Sequence, residues 1–336
     1  MTKIISMFNH KGGVAKTTDA YNIAWALTEQ GKKVLLVDAD SQCNLTKLIL
    51  NGTFDDYYEE NDTKFNNLKD AVSSAFAGNP EPIKKIICPK HKMNENLFII
   101  PGHMDLSSYD PQLNLSLTTS LTLTVLQNLP GAFYKLITEC SQDNEIDYVI
   151  IDLNPSLSSI NQVLFMSSDG FIIPTNPDPF SIMALKTLKT ILPRWKKEAT
   201  SLSSQTQTAA YPLPIKDIFF LGEIISRFNI RSGKPNSYYI NKINEIKQAV
   251  NTELVLTLRQ NKMIAPNDTR TDFCLAEIKD FGGLQQTTTG RDKPIIALND
   301  DDDLGVGAVK ENNENSISLF RKQFTKIANT ITEILN

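Results

Sequence analysis

The chain has 336 residues, a formal net charge of −4, and 41% apolar and 21% charged residues. This is an ordinary globular composition, and the chain is long enough to bury a sizeable core. At roughly 150 residues per domain, the length corresponds to about two domains or to one large α/β domain with insertions. Because the whole chain is slightly acidic, any surface that binds nucleic acid must be local.

Membrane, secretion and metal signals are weak. No apolar run approaches the roughly 18 residues needed to span a bilayer, and the first eight residues lack the apolar length of a signal peptide. The four cysteines are far apart without a CxxC pair, which favours free thiols in a reducing cytosol. Cys88 and His91 have a metal-like spacing, but no second pair matches it. We interpret them as an ordinary cysteine and a surface histidine.

Apolar runs alternate with a helical pattern. Strands are predicted over 3–8 and 33–38, with a helix over 17–29 between them that ends at Gly31. Further strands are predicted over 97–100, 148–152, 170–174 and 218–222. Since these runs are apolar on both faces, the fold class is α/β, with a mostly parallel twisted sheet and helices on both faces.

The whole chain, 1–336, is interpreted as one domain with insertions at about 51–95 and 195–215 and a basic C-terminal part at about 227–336. The Ser/Thr/Gln-rich segment 201–209 predicts a mobile loop. The acidic runs 55–62 and 300–303 are interpreted as solvated loops rather than cation sites. A helix over 318–335 is expected to pack on the core, with a membrane-surface helix as the alternative.

The most informative segment is 9–18, Asn-His-Lys-Gly-Gly-Val-Ala-Lys-Thr-Thr, here called the phosphate loop. It lies between the first strand and the first helix, where backbone N–H groups and the helix dipole favour an anion. Lys16 can reach the β- and γ-phosphates of a nucleotide, and the Thr17 hydroxyl can hold Mg²⁺. The standard G-x-x-x-x-G-K-[ST] pattern is not met, because His10 and Ala15 occupy the glycine positions.

Two later motifs follow in order. Residues 37–46 read Val-Asp-Ala-Asp-Ser-Gln-Cys-Asn-Leu-Thr, and the apolar strand at 148–152 ends in Asp-Leu-Asn-Pro-Ser. The phosphate loop resembles the deviant Walker A motif of the ParA/MinD ATPases. The later segments resemble the family's switch and Walker B motifs, with Ser41 in place of the usual proline. The resemblance covers 3–50 and 95–235 and implies a P-loop NTPase (SIMIBI/ParA-like) architecture.

The resemblance also implies roles. Lys16 would neutralise phosphate charge in its own subunit, whereas Lys11 would reach the nucleotide of a dimer partner. Asp40 would orient the attacking water, so Lys11, Lys16 and Asp40 are the expected catalytic residues. The expected Mg²⁺ residues are Thr17, Asp38 and Asp152. The expected ATP-binding residues are Lys11, Gly12, Gly13, Val14, Ala15, Lys16, Thr17 and Thr18.

Base recognition departs from the family pattern. Ser226 stands where many relatives carry an asparagine that contacts adenine. Segment 264–267, Ile-Ala-Pro-Asn, is a candidate for a backbone contact instead. The chain's two Asn-Lys pairs, at 241 and 261, lack the final Asp of the [NT]-K-x-D motif that selects GTP, which favours ATP.

A basic stretch suggests a local DNA surface. From 227 to 262 the chain has seven basic residues against two acidic ones. Arg227, Arg231 and Lys234 follow a predicted core strand and are the expected phosphate contacts, because such patches bind DNA without reading bases. The alternative is that these are solvated helix faces. With ten residues before Lys11, no N-terminal helix-turn-helix is expected.

The leading hypothesis is a DNA-partition ATPase in the cytoplasm, in contact with the nucleoid. ATP would close a homodimer that binds DNA nonspecifically, and a ParB-like centromere-binding adaptor would stimulate hydrolysis. The second hypothesis is a ParA-like regulatory switch that engages a protein partner in positioning or in a mobile-element defence module. A MinD-like membrane ATPase is the third. The end of the chain is not basic, so membrane binding is not expected.

Overall fold

A computed structural model of the chain describes residues 1–79, 81–119, 124–228, 230–231, 234–235, 237–288 and 291–336. Every predicted strand is present. In chain order the strands are β1 (Lys3–Met7), β2 (Val34–Ala39), β3 (Lys90–His91), β4 (Asn94–Ile100), β5 (Tyr148–Leu153), β6 (Gly170–Thr175), β7 (Phe219–Phe228), β8 (Ile230–Arg231), β9 (Lys234–Pro235) and β10 (Cys274–Lys279).

Helices connect the strands. They are α1 (Lys16–Glu29), α2 (Asn44–Leu50), α3 (Phe54–Glu59), α4 (Leu68–Ala71), α5 (Ser73–Phe76), α6 (Asp110–Thr118), α7 (Thr124–Gln127), α8 (Leu129–Asp143), α9 (Ser159–Met166), α10 (Pro179–Gln205), α11 (Ser237–Gln248), α12 (Val255–Gln260), α13 (Leu284–Thr288) and α14 (Ala308–Leu335). A π-helical segment, Ala249–Leu254, joins α11 to α12. Short 3-10 turns occur at Asn51–Thr53, Leu106–Tyr109 and Ile295–Ala297.

Eight strands form one sheet in the order β10-β7-β6-β1-β5-β2-β4-β3. All neighbours in this sheet are parallel except β3 and β4, which confirms the predicted α/β class. The register pairs Met7 with Asp152, and Asp152 with Asp38. The carboxyl ends of β1, β5 and β2 therefore lie side by side, at the edge where open α/β sheets bind ligands.

Helices cover both faces of the sheet and bury two apolar layers. In the layer beneath α1, Phe320, Phe324 and Ile327 of α14 are fully buried, and α14 packs along α1. This confirms that the last helix packs on the core. It contradicts the membrane-surface alternative, which needs an exposed apolar face. Within the described ranges, none of the helices combines the length and apolar character needed to cross a membrane.

The prediction of a mobile loop over 201–209 is wrong for residues 201–205, because α10 continues to Gln205. Leu202 and Ser203 are buried, and the Ser203 hydroxyl donates to the Pro214 carbonyl at 2.7 Å. Packing of this kind overrides the weak helix propensity of serine.

Two further sequence predictions also need correction. Part of the first acidic run lies in α3 rather than in a loop. In the second run, Asp302 is only 6% exposed and pairs with Lys293 at 3.0 Å.

His91 is not a surface residue, because it lies buried with Nε2 2.8 Å from the Tyr21 hydroxyl. No group of three or more His, Cys, Asp or Glu side chains suited to a metal occurs among the described residues.

Candidate functional site

The phosphate loop leaves β1 and runs into the first turn of α1. Gly13 has φ of 73° and Ala15 has φ of 68°, so both adopt the left-handed region. Glycine adopts this region freely, whereas alanine there costs about 1–2 kcal/mol. Ala15 is the N-cap of α1 and supplies no side-chain cap to its N–H groups. These uncapped donors are the type of group that a phosphate satisfies.

Neighbouring strands hold the loop in place. The Asn9 amide donates to the Pro174 carbonyl at 2.8 Å, and its oxygen accepts from the Lys11 N–H at 3.0 Å. The Gly13 carbonyl accepts from the Asn176 amide at 3.1 Å and from the Arg227 guanidinium at 3.3 Å. Groups at the ends of β6 and β7 therefore fix the loop from one side.

Lys16 lies inside the loop and is only 7% exposed. Its ammonium donates to the carbonyls of Asn9 at 3.1 Å and Lys11 at 3.3 Å. Burial lowers the pKa of Lys16, and the nearby carboxylates of Asp152 and Asp40 oppose this shift. A cation held by neutral carbonyls in a buried loop is well placed to bind phosphate oxygens.

Asp38 and Asp152 end adjacent strands and are both buried. Asp152 accepts from the Thr17 hydroxyl at 2.6 Å, while its Oδ1 has no partner among the described residues. Burial, followed by repulsion from Asp38, raises the pKa of Asp152 to about 7. Burial also raises the pKa of Asp38 to about 6, although the Thr46 hydroxyl and N–H groups donate to its Oδ2.

This arrangement fits a divalent cation. Two buried carboxylates and a threonine hydroxyl form an all-oxygen donor set, which is the set that Mg²⁺ prefers. A bound cation would favour the charged forms of these two carboxylates, whose pKa values burial raises. The free Oδ1 of Asp152 and the Thr17 hydroxyl are the groups that would face it or its water shell.

Asp40 lies one residue beyond the end of β2 and is partly exposed. Its N–H donates to Asp38 Oδ1 at 3.2 Å, and its own Oδ1 accepts from the Gln42 N–H at 3.0 Å. The carboxylate therefore has one oxygen held by the backbone and lies at the rim of the cavity described below.

The Lys11 side chain contacts the start of α10. Its ammonium forms an ion pair with Asp178 and donates to the Ser181 hydroxyl at 3.2 Å. Both partners lie at the start of α10, more than 160 residues away in sequence. Sequence reasoning missed these two residues, because no motif links them to the loop.

A cavity of about 510 Å³ extends from the phosphate loop. One end is lined by Gly13, Lys16, Thr17 and Asp40. The lining at the other end is formed by Arg227, Gln285, Thr288, Asp292, Lys293, Pro294 and Ile295, together with residues of α1 and α2. The cavity therefore extends from the phosphate loop to segment 292–295, where charged Arg227 and Lys293 line it together with apolar Pro294 and Ile295. Its volume lies in the range of small-molecule sites.

The two positions considered for adenine recognition, Ser226 and segment 264–267, do not line this cavity. Segment 264–267 is not part of the cavity lining, whereas segment 292–295 is, and the sequence analysis did not single it out. The Ser226 side chain is buried and donates to Asp19 at 3.1 Å, so it does not line this cavity. No sequence motif at 292–295 indicates this position, because packing between distant elements brings the segment to the cavity.

Of the three predicted DNA-binding residues, only Arg227 has a described side chain. Arg227 is exposed, but it lines the cavity and contacts the phosphate loop, because β7 ends at the same edge as β1. Arg227 was predicted to contact DNA phosphates, whereas in the structure it contacts the phosphate loop and lines the cavity. The backbones of Arg231 and Lys234 pair as β8 and β9, and their side chains lie outside the described residues.

Several other basic residues are neutralised within the chain. Lys189 pairs with Glu253 at 3.3 Å, and Lys242 pairs with Glu245 at 2.6 Å. Lys247 pairs with both Asp272 and Glu277. By contrast, four exposed basic residues on α10 and at α12 have no ion-pair partner among the described residues: Lys186, Lys197, Arg259 and Lys262. Other exposed basic residues without an ion-pair partner among the described residues lie elsewhere, on α2, near β3 and on α14: Lys47, Lys84, Lys90, Arg321, Lys322 and Lys326.

Comparison with protein families gives one match that covers more than half of the chain. An AAA domain family, AAA_31, matches residues 2–204. The virulence plasmid ParA family protein pGP5-D of Chlamydia psittaci is 31% identical over 192 residues, which is 56% of this chain and 62% of that protein. The sporulation initiation inhibitor protein Soj of Bacillus subtilis is 30% identical over 188 residues, 56% of this chain and 64% of that protein. The matched part thus spans less than two thirds of these relatives.

Solved structures share the fold. Protein DIP2308 from Corynebacterium diphtheriae superposes with a TM-score of 0.67 at 20% identity, over 87% of this chain and 97% of that one. A putative plasmid partition protein from Borrelia burgdorferi B31, bound to AMPPNP, superposes with a TM-score of 0.55 at 21% identity, over 96% of this chain and 100% of that one. At these identities the likeness establishes the architecture.

Proposed function

The chain belongs to the ParA/MinD family of P-loop ATPases, and we propose that it binds and hydrolyses ATP with Mg²⁺ as an ATP-dependent dimer. One observation carries the proposal: the buried Lys16 ammonium and the Thr17–Asp152 contact lie together in an uncapped loop at the start of α1. The partition protein that shares this fold was solved with AMPPNP, an analogue of ATP, in agreement with this assignment.

In the proposed site, each residue has a distinct task. Lys16 leaves its carbonyl partners to bind the β- and γ-phosphates. Thr17, Asp38 and Asp152 hold Mg²⁺ and its water shell, and the ion supplies charge stabilisation for the phosphates. The free oxygen of Asp40 accepts a hydrogen bond from the attacking water and aligns it with the γ-phosphate. The adenosine occupies the end of the cavity between Arg227 and segment 292–295.

The dimer would be completed by Lys11 acting across the interface. A second lysine near the γ-phosphate stabilises negative charge that develops as the phosphate leaves. Large apolar side chains are exposed in segments that follow the carboxyl ends of β5 and β6: Leu157 at 43%, Phe180 at 67% and Met183 at 64%. Leu157 follows the Walker B strand, while the other two lie on the first turns of α10, close to the residues that hold Lys11. Their burial in a dimer would contribute to its stability.

We further propose that the dimer binds DNA nonspecifically and acts in plasmid or chromosome partition, with a ParB-like adaptor that stimulates hydrolysis, in the cytoplasm. The free charges of Lys186, Lys197, Arg259 and Lys262 support phosphate contacts. The undescribed side chains of Arg231 and Lys234 remain candidates. Arg227 is a poor residue for testing DNA binding, because a change there would also alter the nucleotide cavity.

A second function is favoured by one contact. The Asn51 amide, which begins the predicted insertion 51–95, donates to Asp292 of the cavity at 2.6 Å. This connection would let a protein bound to the insertion sense the nucleotide, as expected of a regulatory switch that engages a protein partner. A dimer that forms with ATP but fails to bind DNA would favour this switch.

Sedimentation velocity with ATP and Mg²⁺, with ADP and Mg²⁺, and without nucleotide tests the proposed dimer. The wild-type chain should dimerise only with ATP. Lys16→Ala should remain monomeric and lose ATP binding, because phosphate charge is left uncompensated. Lys197→Ala, which removes a lysine away from the cavity, is the matched control and should behave like the wild type. ATP affinity retained by Lys16→Ala would contradict the assignment of the phosphate loop.

A further inference from the structure

The ion pair between Lys11 and Asp178 lies within one subunit. The proposed function gives Lys11 a task in the other subunit of a dimer. The Lys11 ammonium also donates to the Ser181 hydroxyl at 3.2 Å, so two groups at the start of α10 hold it. The Lys11 side chain is 18% exposed and that of Asp178 is 32% exposed. The ammonium must leave both partners before it can reach a second nucleotide.

The residues that hold Lys11 are themselves fixed. Asp178 is the N-cap of α10, and its Oδ1 accepts from the Ser181 N–H at 2.9 Å. The Ser181 hydroxyl is fully buried and accepts from the Asn176 N–H at 3.1 Å. Asn176 in turn donates to the Gly13 carbonyl of the phosphate loop. The Lys11 holder is therefore tied to the nucleotide loop through backbone and side-chain hydrogen bonds.

We propose that Asp178, assisted by Ser181, is a positioning residue that keeps the Lys11 ammonium on its own subunit and so opposes closure of the ATP dimer. This inference rests on the proposed role of Lys11 across the interface. A partly exposed ion pair of this type is worth about a threefold factor in an equilibrium constant. Because a symmetric dimer releases two such pairs, the effect on dimerisation is about tenfold.

The Asp178→Asn variant removes the ion pair with Lys11 but can keep the helix cap. Asparagine caps helices as well as aspartate does, so the bond to the Ser181 N–H can persist. The negative charge that holds Lys11 is lost. Asp178→Glu keeps the charge and should restore part of the hold. Asp217→Asn is the matched control, since it removes a carboxylate that pairs with α10 at Lys196, 3.4 Å away.

The test measures the dimer dissociation constant by sedimentation equilibrium with AMPPNP and Mg²⁺, which avoids turnover. Asp178→Asn should lower this constant about tenfold, Asp178→Glu should lie closer to the wild type, and Asp217→Asn should match the wild type. The affinity of the monomer for AMPPNP, measured at low protein concentration, should stay the same. In a Lys11→Ala background, adding Asp178→Asn should have no further effect.

Three results would overturn the inference. One is an unchanged or weaker dimer in Asp178→Asn. The second is an equal gain in the Lys11→Ala background, since that gain would not act through Lys11. The third is an equal gain in Asp217→Asn, which would make it a general charge effect. If the wild-type chain stays monomeric with AMPPNP, the proposed dimer itself fails, and this result is distinct from the other three.

Discussion

Glu223 lies in the middle of β7, fully buried, and neither of its carboxylate oxygens has a partner among the described residues. Burial raises its pKa from 4.5 to about 8, with a further contribution from Asp272 and an opposing one from Lys247. The folded chain therefore retains a proton on Glu223 that the unfolded chain releases above its ordinary pKa. Unfolding releases this proton between pH 4.5 and 8, so stability should fall as pH rises through that window.

The size of the effect follows from the shift. One pKa unit corresponds to about 1.4 kcal/mol, so raising the pH from 5 to 7.5 should remove about 3 kcal/mol of unfolding free energy through this group. Glu223→Gln has nearly the same shape and cannot ionise. It should therefore abolish this part of the pH dependence and be more stable than the wild type by about 3 kcal/mol near pH 7.

Urea unfolding at pH 5, 6, 7 and 7.5 measures this difference between the two chains. The unfolding free energy of the variant minus that of the wild type should grow steadily with pH. Taking this difference cancels the contributions of the titrating groups that both chains share. Glu277→Gln is a matched control on the neighbouring strand β10, because its carboxylate is more exposed and paired with Lys247 at 3.1 Å. A difference between the Glu223→Gln and wild-type chains that stays constant from pH 5 to 7.5 would refute the buried, protonated state of Glu223.

Three further predictions concern the loop, the catalytic segment and the core. Ala15→Gly should stabilise the chain by up to about 1 kcal/mol in thermal unfolding, because glycine relieves the positive φ; a clear loss of stability would contradict this. Asp40→Ala should retain ATP binding and accumulate as a dimer in sedimentation, because only water alignment is lost; a monomer would oppose that role. Gly131→Ala should cost about 3 kcal/mol or more, since a Cβ would lie 2.1 Å from the Tyr211 carbonyl oxygen; a near-wild-type unfolding midpoint would count against this packing.

The sequence predicted the part of the site that is built from local elements. The apolar runs predicted β1, β2 and β5, and parallel strands place their carboxyl ends at one edge. The adjacency of Asp38 and Asp152 follows from this rule and is confirmed by their register. The roles assigned to Lys11, Lys16 and Asp40 stay predictions.

The sequence did not predict the contacts between distant segments. Nothing in the composition of segment 292–295 indicates that it lines the same cavity as the phosphate loop, because α14 brings it there by packing on α1. Asp178 has an ordinary N-cap pattern in sequence, and its pairing with Lys11 depends on β6 lying beside β1. The helical state of 201–205 depends on the burial of Leu202. In each case tertiary packing decides what local propensity leaves open.

The most direct test of the proposed function is DNA binding by the wild-type chain in three nucleotide states: ATP, ADP and none. Closing a dimer doubles the basic surface on one face, so affinity should rise sharply with ATP alone. It should be independent of DNA sequence and fall steeply with salt as fewer counterions are released. Reversing the charge of Lys197 and Lys262 should weaken binding to all sequences alike while leaving ATP binding unchanged. An ATP-bound dimer with no affinity for DNA at low salt would contradict the partition function.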